Sequence, residues 1–97
     1  MPIELALLTY AYVDDMATKR EPHRDGHLAL IDEMKADGRL LIAGATGKPP
    51  SGGALAFASA EAAEQFVAED PYGEAGLIVS HRIEPWTVVA VGQIDAV

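Results

Sequence analysis

From residue 3 the chain alternates, with Ile3, Leu5, Leu7 and Thr9 on one side of an extended backbone and Glu4, Ala6 and Leu8 on the other. The second side turns apolar as the segment proceeds, which predicts a strand over 3–11 lying centrally in a sheet. "YVDDMATKRE" breaks this period and leads into a helix. Pro22 falls in the first helical turn, where its missing N–H costs nothing. The helix runs to about Asp37, and Gly38 supplies the left-handed residue that closes it. "RLLIAGA" (39–45) is a short buried strand, "TGKPPSGG" (46–53) a loop and "ALAFASA" (54–60) a third strand, so that 39–58 form a hairpin with a long tip. Ser59 is a natural N-cap for "AEAAEQFVAE", with Glu61 near the positive end of the helix and Ala63, Phe66 and Val67 facing inward. Pro71 ends that helix by disfavouring helical geometry at Asp70. A final strand is predicted across "LIVSHRIEPWTVVAVG" (77–92), bent or interrupted near Pro85.

Strand, helix, strand, strand, helix, strand is most economically an α+β, ferredoxin-like βαββαβ arrangement: a four-stranded antiparallel sheet with two helices on one face. The 97 residues fit one such domain, 1–97. Only one sheet face is then covered. A chain this small buries a modest share of its surface, so a homodimer is expected, with Trp86, Val88 and the "VVAV" end of the last strand as contributors. The alternative, ordinary sheet residues within one subunit, stands beside it.

The first helix has an anomaly. At about 100° per residue, Ile31 and Met34 share one side, flanked by Leu28 and Leu30. Carried one turn back, the same side meets His27, then Arg24, His23 and Arg20. A stripe that changes from apolar to basic passes from core to rim, which predicts a pocket walled by apolar residues and lined by imidazole and guanidinium groups. Free N–H groups at the helix start would add to its attraction for an anion. His27 is the first candidate for proton transfer, because histidine exchanges protons near neutral pH. Its bland alternative is a half-buried histidine satisfied by a backbone carbonyl.

Asp70 has two readings as well. It is either a helix-terminating Asx turn or a partner that orients the His27 ring. The two helices run roughly parallel on one sheet face, so the pair meets only if the "DPY" turn bends toward the pocket, and the residue pattern leaves both readings open. His23 and His27 have a spacing that suits a shared metal, but no third ligand accompanies them. Neither a metal nor a cofactor is expected. His81 has no assignment among core, interface and pocket.

Composition narrows the classes. A hydrophobic fraction of 49% and a charged fraction of 23% describe a globular domain. The absence of cysteine removes disulfides and thiol chemistry. A net charge of −8 opposes nucleic-acid binding, which needs clustered Lys and Arg. The bases present do cluster, however: Lys19, Arg20 and Arg24 sit beside His23 and His27. No run approaches the roughly 18 apolar residues of a membrane helix, and "MPIELALLTY" lacks the basic start of a signal peptide. No membrane association is expected, and the expected location is the cytoplasm.

"RDGHLALIDEMKADGRLLIAGA", "SAEAAEQFVAEDPYGEAGL" and "RIEPW" together resemble the YCII-related (YciI-like) family over almost the whole chain. The combination of R-x-x-H-L with a much later D-P-Y carries the resemblance. It implies a subunit of the dimeric α+β barrel superfamily, with two sheets closing face to face. It also implies an active site in which His27 and Asp70 form a His–Asp pair, with Arg24, Gly44, Pro71 and Tyr72 on further motif positions. Ala45 stands where the family's "AGP" has proline. His23 is a local addition to the substrate-binding set of Arg24, Gly44 and Tyr72. The function implied is small-molecule acid–base chemistry, of a lyase, dehydrochlorinase or isomerase type, on an anionic or phenolic substrate. The alternative is a non-catalytic dimeric module that binds a small ligand.

Overall fold

The structure is a computed structural model that describes residues 2–94. The elements run β1 (Ile3–Tyr12), α1 (Met16–Lys19), α2 (Glu21–Ala36), β2 (Leu40–Thr46), β3 (Gly52–Phe57), α3 (Ala60–Glu69), α4 (Pro71–Glu74) and β4 (Ile78–Val88). The sheet order is β2-β3-β1-β4, antiparallel throughout. This is the expected ferredoxin-like arrangement, with β1 in the interior of the sheet. Among the described residues no helix is long and apolar enough to cross a membrane.

Alternation decides which way each strand faces. Ala6, Leu8 and Tyr10 of β1 are buried and pair across the sheet with Phe57, Leu55 and Gly53, so these positions share the helix-covered face. Leu30 and Met34 of α2 and Ala62, Ala63 and Phe66 of α3 complete the core against them. Burying a large aromatic such as Phe66 contributes on the order of 3 kcal/mol. The opposite face has no helix over it. It carries Leu5 and Leu7 half-buried, with Ile42 55% and Trp86 40% exposed.

Two one-turn helices were not expected. The segment "YVDDMATKRE" does not merely connect: it holds α1, and Met16 is buried with Tyr72 and Leu77 in a second small core. Val13 N–H bonds Leu77 O at 3.1 Å, tying this segment to the residue just ahead of β4. The second surprise, α4, begins at once after α3, because Asp70 has extended backbone and caps the new turn. The break expected near Pro85 does not occur. Pro85 pairs with Ala6 within a continuous β4, and the irregularity falls between Ala11 and Tyr12 instead. An edge strand tolerates proline because half of its N–H groups face away from its one partner. The strand stops at Val88, short of the expected 92. The hairpin is tighter than expected too, since β2 and β3 extend to Thr46 and back from Gly52.

Gly52 is required where it stands. A Cβ there would overlap the Tyr10 carbonyl oxygen and lie 2.9 Å from Thr46 Oγ1. Gly52→Ala is expected to lower stability by about 1–3 kcal/mol, the usual cost of overpacking. Urea unfolding measures this as a lower midpoint, and an unchanged midpoint would contradict the close approach.

Candidate active site

The basic end of the α2 stripe lies where the sequence places it. Arg20, at the junction of α1 and α2, and Arg24, His27, Leu28 and Ile31 of α2 line one side of a cavity of about 270 Å3. The far side is strand: Ala43, Gly44 and Ala45 of β2 and Leu55 of β3. Tyr12 and Tyr72 complete the walls. The spacing 20, 24, 27, 31 follows the helical period, so one face of α2 passes from the cavity at Arg20 to the core at Leu30 and Met34.

The DPY turn does bend to His27. Gly26 suits this approach: a Cβ on it would stand 3.2 Å from Pro71 Cγ, a tight contact that α4 would have to relieve by a few tenths of an ångström. With α4 seated, Asp70 Oδ1 lies 2.8 Å from His27 Nδ1. The same oxygen accepts from Tyr72 N–H at 3.0 Å, and Oδ2 accepts from Tyr10 O–H at 3.0 Å. The Asp70 side chain is 0% exposed, and a carboxyl so buried is tolerated because both oxygens are hydrogen-bonded. Both sequence readings of Asp70 are therefore realised at once, since it caps a turn and holds the histidine. A carboxylate only accepts, so Nδ1 is the ring nitrogen that carries hydrogen, and Nε2 is left for the cavity.

The His27 ring is fixed from two more directions. Tyr72 stacks on it, with centroids 3.8 Å apart and planes within 7°. Phe66 meets it edge-on at 5.9 Å. Imidazole rotation is thus blocked by packing as well as by the carboxylate.

The tyrosines feel this environment. Burial pushes the Tyr10 phenol well above its usual range, and the Asp70 charge and hydrogen bond add to the effect. Tyr12 is pushed up to about 12, mainly by burial and then by Asp70 and Tyr72, against the Arg20 and Arg24 charges. Tyr72 is also raised by burial, with Arg24 and Arg20 pulling the other way.

The comparisons with known proteins agree with this architecture. Residues 4–87 match the YCII-related domain. The chain belongs to the YCII-related family. No curated protein matches it. Among solved structures it is similar to a 5-chloro-2-hydroxyhydroquinone dehydrochlorinase from Burkholderia phenoliruptrix, in complex with 2,5-dihydroxybenzoquinone. The two superpose with a TM-score of 0.70 at 26% identity, covering 84% of this chain and 92% of that one.

In this YCII-related chain the residues singled out from the sequence do not all converge. His27, Arg24, Gly44 and Tyr72 line the cavity, and Asp70 stands behind His27. Ala45, the departure from the family's usual proline, lines it too. His23 does not line it. His81 is exposed on β4. The helix-start N–H groups contribute less than expected, because α1 abuts α2: Arg20 N–H bonds Met16 O at 2.9 Å and His23 N–H bonds Arg20 O at 2.8 Å. Positive charge at the cavity comes from side chains instead.

Sequence reasoning missed Tyr10 and Tyr12 as site residues. Tyr10 sits on an alternating strand, where an aromatic reads as core; it is core, and only its hydroxyl's reach to Asp70 ties it to the site as well.

All three tyrosines of the chain are raised, so the folded protein keeps phenol protons that an unfolded chain releases near pH ~10. Their contribution to stability is complete below that pH and is lost as pH climbs through 10 toward about 12. Spectrophotometric titration should show little phenolate in the native protein at pH ~10.5, where the urea-unfolded chain is more than half ionised. A native tyrosine titrating normally would contradict the burial and hydrogen bonding described.

Proposed function

We propose that this chain is a cofactor-independent enzyme that moves protons on a small hydroxylated ring, with His27 as the acid–base group. The observation that carries this is the His27 ring itself, locked through Nδ1 to a buried carboxylate and presenting its other nitrogen to a cavity. Such an arrangement fixes the tautomer that accepts a proton at Nε2. Asp70 holds the ring and offsets the charge of the imidazolium formed, and Arg24 draws the anionic or phenolic oxygen. The cavity suits one substituted ring, since about 150 Å3 already accommodates benzene. In an elimination, a substrate proton passes to Nε2 while a leaving group departs with its bonding electrons. In an isomerisation, His27 returns the proton to a different atom. The dehydrochlorinase likeness favours the elimination.

Halide release and ring absorbance, followed over a panel of hydroxylated and halogenated aromatics, test the reading. On a compound that is turned over, His27→Ala is expected to lose at least about 10²-fold in kcat. Asp70→Asn is expected to lose a comparable factor, because an amide facing the ring favours the wrong tautomer. Full activity in both variants would refute the mechanism. Tight binding without product over long incubation would favour the non-catalytic module.

The proposal includes a second copy of the chain over the uncovered sheet face. Its support is the apolar character of that face, where Ile3, Leu5, Leu7, Trp86 and Val88 share one side of β1 and β4. Light scattering after size exclusion should report a dimer. Trp86→Glu should shift it toward monomer, because a charge would enter the contact unpaired. A wild-type monomer at micromolar concentration would overturn this part.

A further inference from the structure

Two residues that line the cavity carry buried polar atoms without a hydrogen-bond partner among the described residues, although the Arg24 guanidinium stands near enough to the Tyr72 hydroxyl to favour its ionised form. The atoms are Tyr72 Oη and Arg20 Nε. Tyr72 as a residue is 1% exposed, so water does not serve its hydroxyl freely. Unpaired buried donors are rare in folded proteins and call for an acceptor. Both residues line the same cavity, beside Arg24.

Charge gives the same indication. The ion pairs formed among the described residues involve Lys35, Arg39, Arg82 and His27, not Arg20 or Arg24. Among the described residues no Asp or Glu lines the cavity. In a chain of net charge −8, two uncompensated guanidinium groups around one small hollow are a local inversion of sign. Lys19 is exposed and is not among the lining residues.

We propose that Arg20 Nε and Tyr72 Oη, with Arg24, form an oxyanion subsite that anchors a planar monoanion, a ring carboxylate or ring phenolate, beside His27. Arg20 donates through Nε–H and Tyr72 through its hydroxyl, two donors for one anionic oxygen centre or for the two oxygens of a carboxylate. Arg24 supplies charge from the adjacent turn of α2. Burial keeps Tyr72 protonated and able to donate. The substrate is thereby held by one end, and its reacting atom is left to the His27 edge of the cavity. This deepens the proposed function and rests on its placing of substrate in this cavity.

Calorimetry on the full chain tests the subsite without turnover, using benzoate, 4-nitrophenolate and the neutral benzamide as probes. Benzoate is expected to bind at least about tenfold more tightly than benzamide. Arg20→Gln and Tyr72→Phe should each weaken benzoate by about tenfold or more and leave benzamide unchanged. Tyr72→Phe retains the ring stacked on His27, so such a loss reports the hydroxyl alone. Arg20→Lys keeps the charge without the Nε donor and replaces Arg20→Gln under the same criterion if that variant does not fold. Nitrophenolate bound more tightly than benzoate assigns the subsite to a phenolate, and the reverse to a carboxylate. Benzoate binding no tighter than benzamide, or indifferent to both substitutions, overturns the proposal. Calorimetry reads the subsite and turnover reads the acid–base step, so a failure of the acid–base mechanism remains distinguishable from a failure of the subsite.

Discussion

One buried carboxylate joins the fold to the site. Asp70 accepts hydrogen bonds from Tyr10 on β1, from His27 on α2 and from the backbone of α4. Three elements far apart in sequence therefore meet at two oxygen atoms. Each bond to a charged acceptor is worth more than a neutral one, but the larger consequence is the cost of leaving any of them unmade. A buried carboxylate with a missing donor is strongly unfavourable, so the register of β1, the rotation of α2 and the seating of α4 are selected together.

The packing that brings Asp70 to this point is spread over residues that look unremarkable. Gly26 leaves room for Pro71. Met16, Tyr72 and Leu77 form the small core that holds α4 down. Tyr72 serves both sides, because its ring is buried in that core and stacked on His27 while the residue also lines the cavity. A disturbance of the minor core would therefore reach the imidazole without touching it. That is why the polar segment after β1, which has no apolar period of its own, matters to the site.

Much of the fold is legible because its signals are periodic. The alternation at Ile3, Leu5 and Leu7, the i, i+3, i+4 spacing of His27, Leu30, Ile31 and Met34, and Ser59 ahead of an amphipathic decapeptide each dictate an element by local physics. The change from leucine to arginine along α2 is likewise a local signal, and it locates the cavity. One-turn helices carry no period, so α1 and α4 are invisible to that reasoning. The approach of Asp70 to His27 is invisible too, since it depends on how closely the Pro71 ring packs against α2 at Gly26. Residue types alone left it open, and the family likeness, which carries tertiary information, pointed to it. Pro85 misleads for a related reason, because its tolerance depends on β4 being an edge strand, which is a property of the sheet and not of the segment.

The cavity wall formed by β2 is one strand thick. Ala43, Gly44 and Ala45 line the His27 cavity on one side and a hollow on the uncovered sheet face on the other. Gly44 has open space where a Cβ would be, so no side chain stiffens that wall. A second copy over the apolar face, as proposed, would therefore press on the back of the site across a single backbone. A proline at position 45 would restrict the strand at this point, and Ala45 leaves φ free. The proposed dimer contact and the proposed substrate cavity, argued from separate residues, are consequently not independent: the β2 backbone between them is shared, and a change in packing on one face would alter the width of the hollow on the other.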